Sequence, residues 1–71
     1  MFAAWETTEE DILTCLEQMG RKNVTPEEVT EIHNNLNHVE VEKAALIGDV
    51  LDDQVGFAYV EIKDQIKKMN F

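Results

Sequence analysis

One cysteine, one proline and three glycines are all that this 71-residue chain has of the residues that staple or punctuate a fold. With Cys15 alone, no internal disulfide and no multi-cysteine zinc site can form, and a reducing, cytoplasmic setting is expected. Basic residues are also scarce: 6 stand against 15 acidic ones, a net charge of −9. Coulomb repulsion then argues against a protein whose main task is to grip nucleic-acid phosphates or an anionic membrane, so neither is expected as a direct partner. Long apolar runs are missing. The longest are Ala44 to Ile47 and, counting Gly56, Val55 to Val60, far short of the roughly 20 residues a spanning helix needs. The opening Met1-Phe2-Ala3-Ala4-Trp5 has no basic segment and meets Glu6 before completing the apolar stretch of about 7–15 residues found in secretory signals.

What is present is the composition of a packed chain, 44% hydrophobic and 30% charged. A chain this short buries only about 60% of the surface its unfolded form exposes, so one domain with a small core is the limit. The expectation is a single all-helical domain over 1–71, with a short aromatic N-terminal arm at 1–6.

Four helices can be read from caps and spacing. Thr7 or Thr8 followed by Glu9, Glu10 and Asp11 is a start signal, because the hydroxyl accepts an orphan N–H while the acid three residues on reaches back. Ile12, Leu13, Leu16 and Met19 then recur on one stripe, and Gly20 is a natural left-handed cap. Thr25-Pro26-Glu27-Glu28 marks a second start: a capping hydroxyl, a proline where its missing donor costs nothing, and an acid at the capping-box position. Val29, Ile32 and Leu36 form its narrow stripe, which Asn34, Asn35, Asn37 and His38 should end.

From about Val39 or Glu40 to Leu51, apolar residues cover an arc too wide for one stripe, which predicts a central helix. Gly48 within it predicts a point where another backbone crosses closely. The segment from Val55 to Ile62 has the residue types of a strand, yet Val55, Tyr59, Ile62, Ile66 and Met69 are spaced 4, 3, 4, 3, which predicts a helix capped by Asp52 or Asp53. The fold class expected is therefore all-α: a compact bundle of four short helices, near 8–19, 26–36, 40–51 and 54–69.

Charge and exposed apolar residues supply the candidate sites. Seven of the 15 acids, Glu9, Glu10, Asp11, Glu27, Glu28, Asp52 and Asp53, sit at expected helix starts, where negative charge is favourable without any partner. They are nevertheless clustered, since residues 1–40 hold nine acids and two bases, and Glu9, Glu10, Glu27, Glu28 and Glu31 are the candidate acidic surface for a basic protein. Phe57 and Val60 lie off the heptad seam, so the last helix needs cover on a second side. Trp5, Phe57 and Val60 are accordingly the apolar partner-binding candidates, with Phe2 and Phe71 as further exposed aromatics and a homodimer as one way to bury them.

Catalytic and metal-binding constellations are not expected. His33 and His38 are five residues apart, which on one continuous helix puts them on different faces, with no third ligand at metal spacing. Asp49, Asp52 and Asp53 lack the glycine and bidentate glutamate of a calcium loop. Cys15 has acidic neighbours and no histidine in helical reach, so its thiol should be structural. No glycine-rich phosphate loop exists, and no cofactor is expected.

Two three-helix families are similar in outline. With Thr25-Pro26-Glu27-Glu28-Val29 as the first motif helix and Val41 to Val50 as the recognition helix, the chain resembles a helix-turn-helix unit, which would imply DNA binding; Glu40 and Glu42 stand where that family's base-reading residues belong. Met19-Gly20 and Asn37-His38-Val39-Glu40 resemble the loop and third-helix signatures of ubiquitin-associated domains over about 8–51, with Arg21 in place of the aromatic contact residue. Together these readings lead to a small acidic protein–protein interaction module, an adaptor or inhibitor without catalysis. An acidic nucleic-acid mimic and a degenerate helix-turn-helix regulator are the alternatives.

Overall fold

The computed structural model describes residues 5–69, and they form four helices with no strand among them. The helices are α1 (Glu9–Gln18), α2 (Pro26–Asn35), α3 (His38–Val50) and α4 (Gln54–Lys68). Residues 55–62 are thus helical, as the heptad spacing predicts. Phe2, Phe71 and most of the expected aromatic arm lie outside the described residues.

Each helix start is fixed by a side chain. Thr8 Oγ1 accepts the Asp11 N–H while Asp11 Oδ2 accepts the Thr8 N–H at 3.0 Å, a complete capping box. Thr25 Oγ1 accepts the Glu28 N–H, with Pro26 in the first turn. Asn37, which sequence reading assigns to the end of α2, is instead the N-cap of α3, its Oδ1 accepting the Glu40 N–H. Asp53 caps α4 by accepting the Gly56 N–H.

The α1 and α3 ends use the same device. After α1, Arg21 N–H donates to Leu16 O and Gly20 N–H to Glu17 O, with Gly20 at φ 84°. After α3, Asp53 N–H donates to Gly48 O at 2.7 Å and Asp52 N–H to Asp49 O, with Asp52 at φ 60° in the position that glycine occupies after α1. Both are Schellman turns that satisfy carbonyls left without an intrahelical donor.

The core is one cluster: Ile12, Cys15 and Leu16 from α1, Val29, Ile32 and Leu36 from α2 and its end, Val41 and Ala45 from α3, and Ala58, Ile62 and Ile66 from α4. The α2 stripe is fully as expected. Two others need correction. Leu13 is 40% exposed and Cys15 takes its place in the α1 core; in α4 the fully buried position near the turn is Ala58, whereas Val55 is exposed.

The third correction concerns α3, which is not central. It packs along α4, while α1 meets both α2 and α4. The contact is made by small residues. A Cβ added at Gly48 would stand 2.5 Å from Asp53 O, 2.8 Å from Gln54 Cα and 2.9 Å from Phe57 Cβ, so the crossing that Gly48 predicts is present and admits no side chain. Val41, Ala45 and Gly48, spaced 4 and 3, draw the α3 backbone close to α4 and leave its larger apolar residues on the other side. The α3–α4 hairpin contributes to a molecule 38 Å long and about half as wide, at 21 × 19 Å.

Candidate functional site

The acidic candidates converge because of the segment between α1 and α2. Gly20 and Asn23, both with positive φ, turn the chain so that the start of α2 returns beside the first half of α1. Glu9, Glu10 and Leu13 of α1 then face Val24, Thr25, Pro26 and Val29 across one open groove of about 270 Å³. Thr30 Oγ1 donates to Glu9 Oε2 at 3.2 Å and ties the two helices together. The groove has an apolar floor and an acidic rim. Glu27 and Glu31 are exposed and Glu28 half-buried on the same helix as Pro26, so two helix starts present their acids together.

Asp11, by contrast, turns inward. One carboxylate oxygen completes the α1 cap, and the other accepts the Tyr59 hydroxyl at 2.8 Å. Burial, together with this hydrogen bond to the carboxylate, pushes the Tyr59 phenol up to about 12. Asp11 therefore locks α1 to α4 and is unavailable to a partner.

Cys15 lies fully buried behind it, with Sγ 4.0 Å from Tyr59 O. Burial pushes the thiol up to about 11, partly offset by Lys63 and reinforced by Asp11. A thiol held protonated and out of solvent is a packing group, since the thiolate is the reactive form.

The apolar candidates do not form one patch. Trp5 folds onto the core: its ring meets Tyr59 edge-on at 6.4 Å and its Nε1–H donates to Thr7 Oγ1 at 2.9 Å. Phe57 is half-buried, with its Cβ at the Gly48 crossing, and Val60 beside it is exposed. Trp5 lines a hollow with Thr7 and His33, while Phe57 and Val60 line a separate one with Asp53 and Gly56.

The histidines come together rather than apart. Leu36, at φ −71° and ψ 141°, breaks the helix, so His38 begins α3 and swings back over the end of α2. The two rings meet edge-on at 4.7 Å. His33 Nε2 lies 2.9 Å from Thr7 O and His38 Nε2 2.9 Å from His33 O, where a ring N–H donates to each carbonyl. They satisfy backbone at a helix junction, and among the described residues no group of three or more His, Cys, Asp or Glu is placed to hold a metal ion.

The surface that residue-by-residue reasoning missed is on α3. Val39, Ile47, Val50 and Leu51 are exposed, with Val50 at 74%. At 100° per residue, Val39, Leu46, Ile47, Val50 and Leu51 occupy the arc opposite Val41, Ala45 and Gly48. The signal was legible as an apolar arc too wide for one stripe; the small residues Ala45 and Gly48 mark which side packs inward.

No family model, curated protein or solved structure matches this chain. No helix among the described residues is long and apolar enough to cross a membrane.

Proposed function

We propose that the chain is a non-catalytic protein–protein interaction module. One observation carries this reading: of the seven large hydrophobic side chains left exposed among the described residues, six (Val39, Ile47, Val50, Leu51, Val55 and Val60) belong to the α3–α4 hairpin. Scattered exposed apolar residues are ordinary, but a concentration on one element of a small domain marks a contact surface. The outward residues of α3 are mostly aliphatic, with Glu40 and Glu42 at its start and a single base, Lys43, already paired with Glu40, which suits a protein surface and not a DNA groove. The buried Cys15 thiol and the carbonyl-bound histidines support a structural use for the residues that could otherwise do chemistry.

A second reading rests on the acid-rimmed groove between α1 and α2: a decoy that occupies a basic surface on a nucleic-acid-binding protein. Salt separates the two. Affinity capture from native lysate at about 0.05 and 0.3 M salt should retain a partner held by apolar contact and lose one held by charge. Val50→Asp should abolish the first kind of capture and spare the second. Capture that survives Val50→Asp and vanishes with salt would replace the module reading with the decoy.

A further inference from the structure

We propose that two copies of this chain pair through the outward face of α3, antiparallel and about a two-fold axis. This deepens the interaction-module reading, on which it rests, by naming the occupant of the surface. The face is built from Val39, Leu46, Ile47, Val50 and Leu51. The exposed parts of Val39, Ile47, Val50 and Leu51 amount to roughly 400 Å², the size of the largest apolar patch on an ordinary monomer, which is often functional. Lys43, paired with Glu40 at 3.5 Å, lies within the same arc, and its stem with the half-buried Leu46 and Ala44 brings the patch to the size of a weak interface, below the roughly 800 Å² per partner of a standard stable one. A two-fold pairing covers the same face on both copies at once.

Charge decides the orientation. The turn end of the hairpin carries Asp49, Asp52 and Asp53 and no base, whereas the opposite end, residues 40–43 and 61–68, carries four acids and four lysines. That opposite end is one place in space, because Gln65 exchanges hydrogen bonds with the Asn37 backbone, and Glu40 lies beside Lys68. Parallel pairing would bring two triply negative turns together. Antiparallel pairing sets each turn against the lysine-bearing end of the other copy, with Val39 opposite Val50 of the second copy and Lys43 opposite Leu46. The acid-rimmed groove between α1 and α2 contains no residue of this face, although Val39, at one end, also lines the hollow with Trp5, Thr7 and His33.

The salt dependence has a sign of its own. Two copies of net charge −9 repel, so their association strengthens as salt screens the charge, opposite to the behaviour of a basic partner. Sedimentation of the full chain from micromolar to millimolar concentration should show twice the 8.2 kDa monomer mass, with dimerisation tightening from about 0.05 to 0.3 M salt. Val50→Asp should weaken it at least tenfold with an unchanged helical circular dichroism spectrum, because that side chain touches little within its own copy. Val60→Asp, equally exposed but on the outer side of α4, should leave it unchanged. Mixed Val39→Cys and Val50→Cys chains should cross-link 39 to 50; cross-links of 39 to 39 and 50 to 50 would overturn the antiparallel arrangement. A wild type monomeric at millimolar concentration in both salts overturns the pairing outright. If that monomer still captures another protein in a manner abolished by Val50→Asp, the interaction-module reading stands without the dimer; if it captures none, both fall.

Discussion

The two halves of this molecule solve opposite problems. Residues 1–37 hold eight acids and two bases, yet leave only Leu13 as a large exposed hydrophobic among the described residues. Residues 38–71 hold seven acids and four bases, and leave six. The first half consists of two short helices with one narrow apolar stripe each, so nearly all its large apolar residues face the core and its charge faces water. The second half is a hairpin whose α3 packs through Val41, Ala45 and Gly48. Small residues bring two helices close, but they bury little area, and the large aliphatic residues of α3 are left outside. A helix held by its small side thus becomes a helix with an apolar side to offer.

The sharpest way to break this comparison is to truncate equivalent aliphatic residues on the two sides of α4. Ile62 is fully buried and Val60 is 67% exposed; Ile62→Ala should cost about 2–5 kcal/mol in urea unfolding, and Val60→Ala less than about 0.5. Similar costs would show that the hairpin's outer side is already packed.

Gly48→Ala tests the close approach. Its Cβ would meet the backbone of Asp53 and Gln54, which cannot yield as a flexible side chain does, so the expected loss is about 1–3 kcal/mol despite the better helix propensity of alanine. A stabilised variant would mean that the hairpin can open at the turn without cost.

Alkali should act at the junction of the halves, where Cys15 and Tyr59 meet. Both groups keep their protons longer in the folded chain, Cys15 to about 11 and Tyr59 to about 12. The unfolded chain releases them first. Their contribution is therefore complete below the unfolded pKa values, near 9 for the thiol, and is lost as pH rises towards the folded ones. Stability should fall between about pH 9 and 11, by about 2 kcal/mol for the Cys15 part. Urea titrations of the wild type and of Cys15→Ala across that range check this: the variant starts less stable, and its stability falls less steeply.

The smallest effect belongs to the acidic half. Thr25→Ala removes one capping bond and should cost about 1 kcal/mol, read as a shift in the urea midpoint at constant slope. A loss below about 0.3 kcal/mol would place the start of α2 elsewhere.

Short-range physics made most of the fold legible. Thr8, Thr25 and Asp53 fix helix starts through atoms three residues away, Gly20 fixes an end through its own φ, and the 4, 3, 4, 3 spacing sets α4 as a helix in spite of its strand-like residues. Each of these acts within one or two turns, and a sequence carries such distances directly. The Gly48 crossing was legible for a related reason, since a glycine inside a helix calls for a neighbour that leaves no room for a side chain.

What only the tertiary structure decided is which of several apolar arcs faces inward. Nothing local distinguishes Val55 from Ile62 on the same seam, yet Ile62 is fully buried and Val55 exposed. The same holds for the histidines, which Leu36 breaks apart in the chain and the junction brings to 4.7 Å, and for Asp11, whose second oxygen finds Tyr59 48 residues away. The sequence by itself therefore determined the four helices and their ends, because caps and spacing act through neighbouring bonds. The exposed face of α3 was left to the packing of whole helices, because burial is a property of what lies opposite.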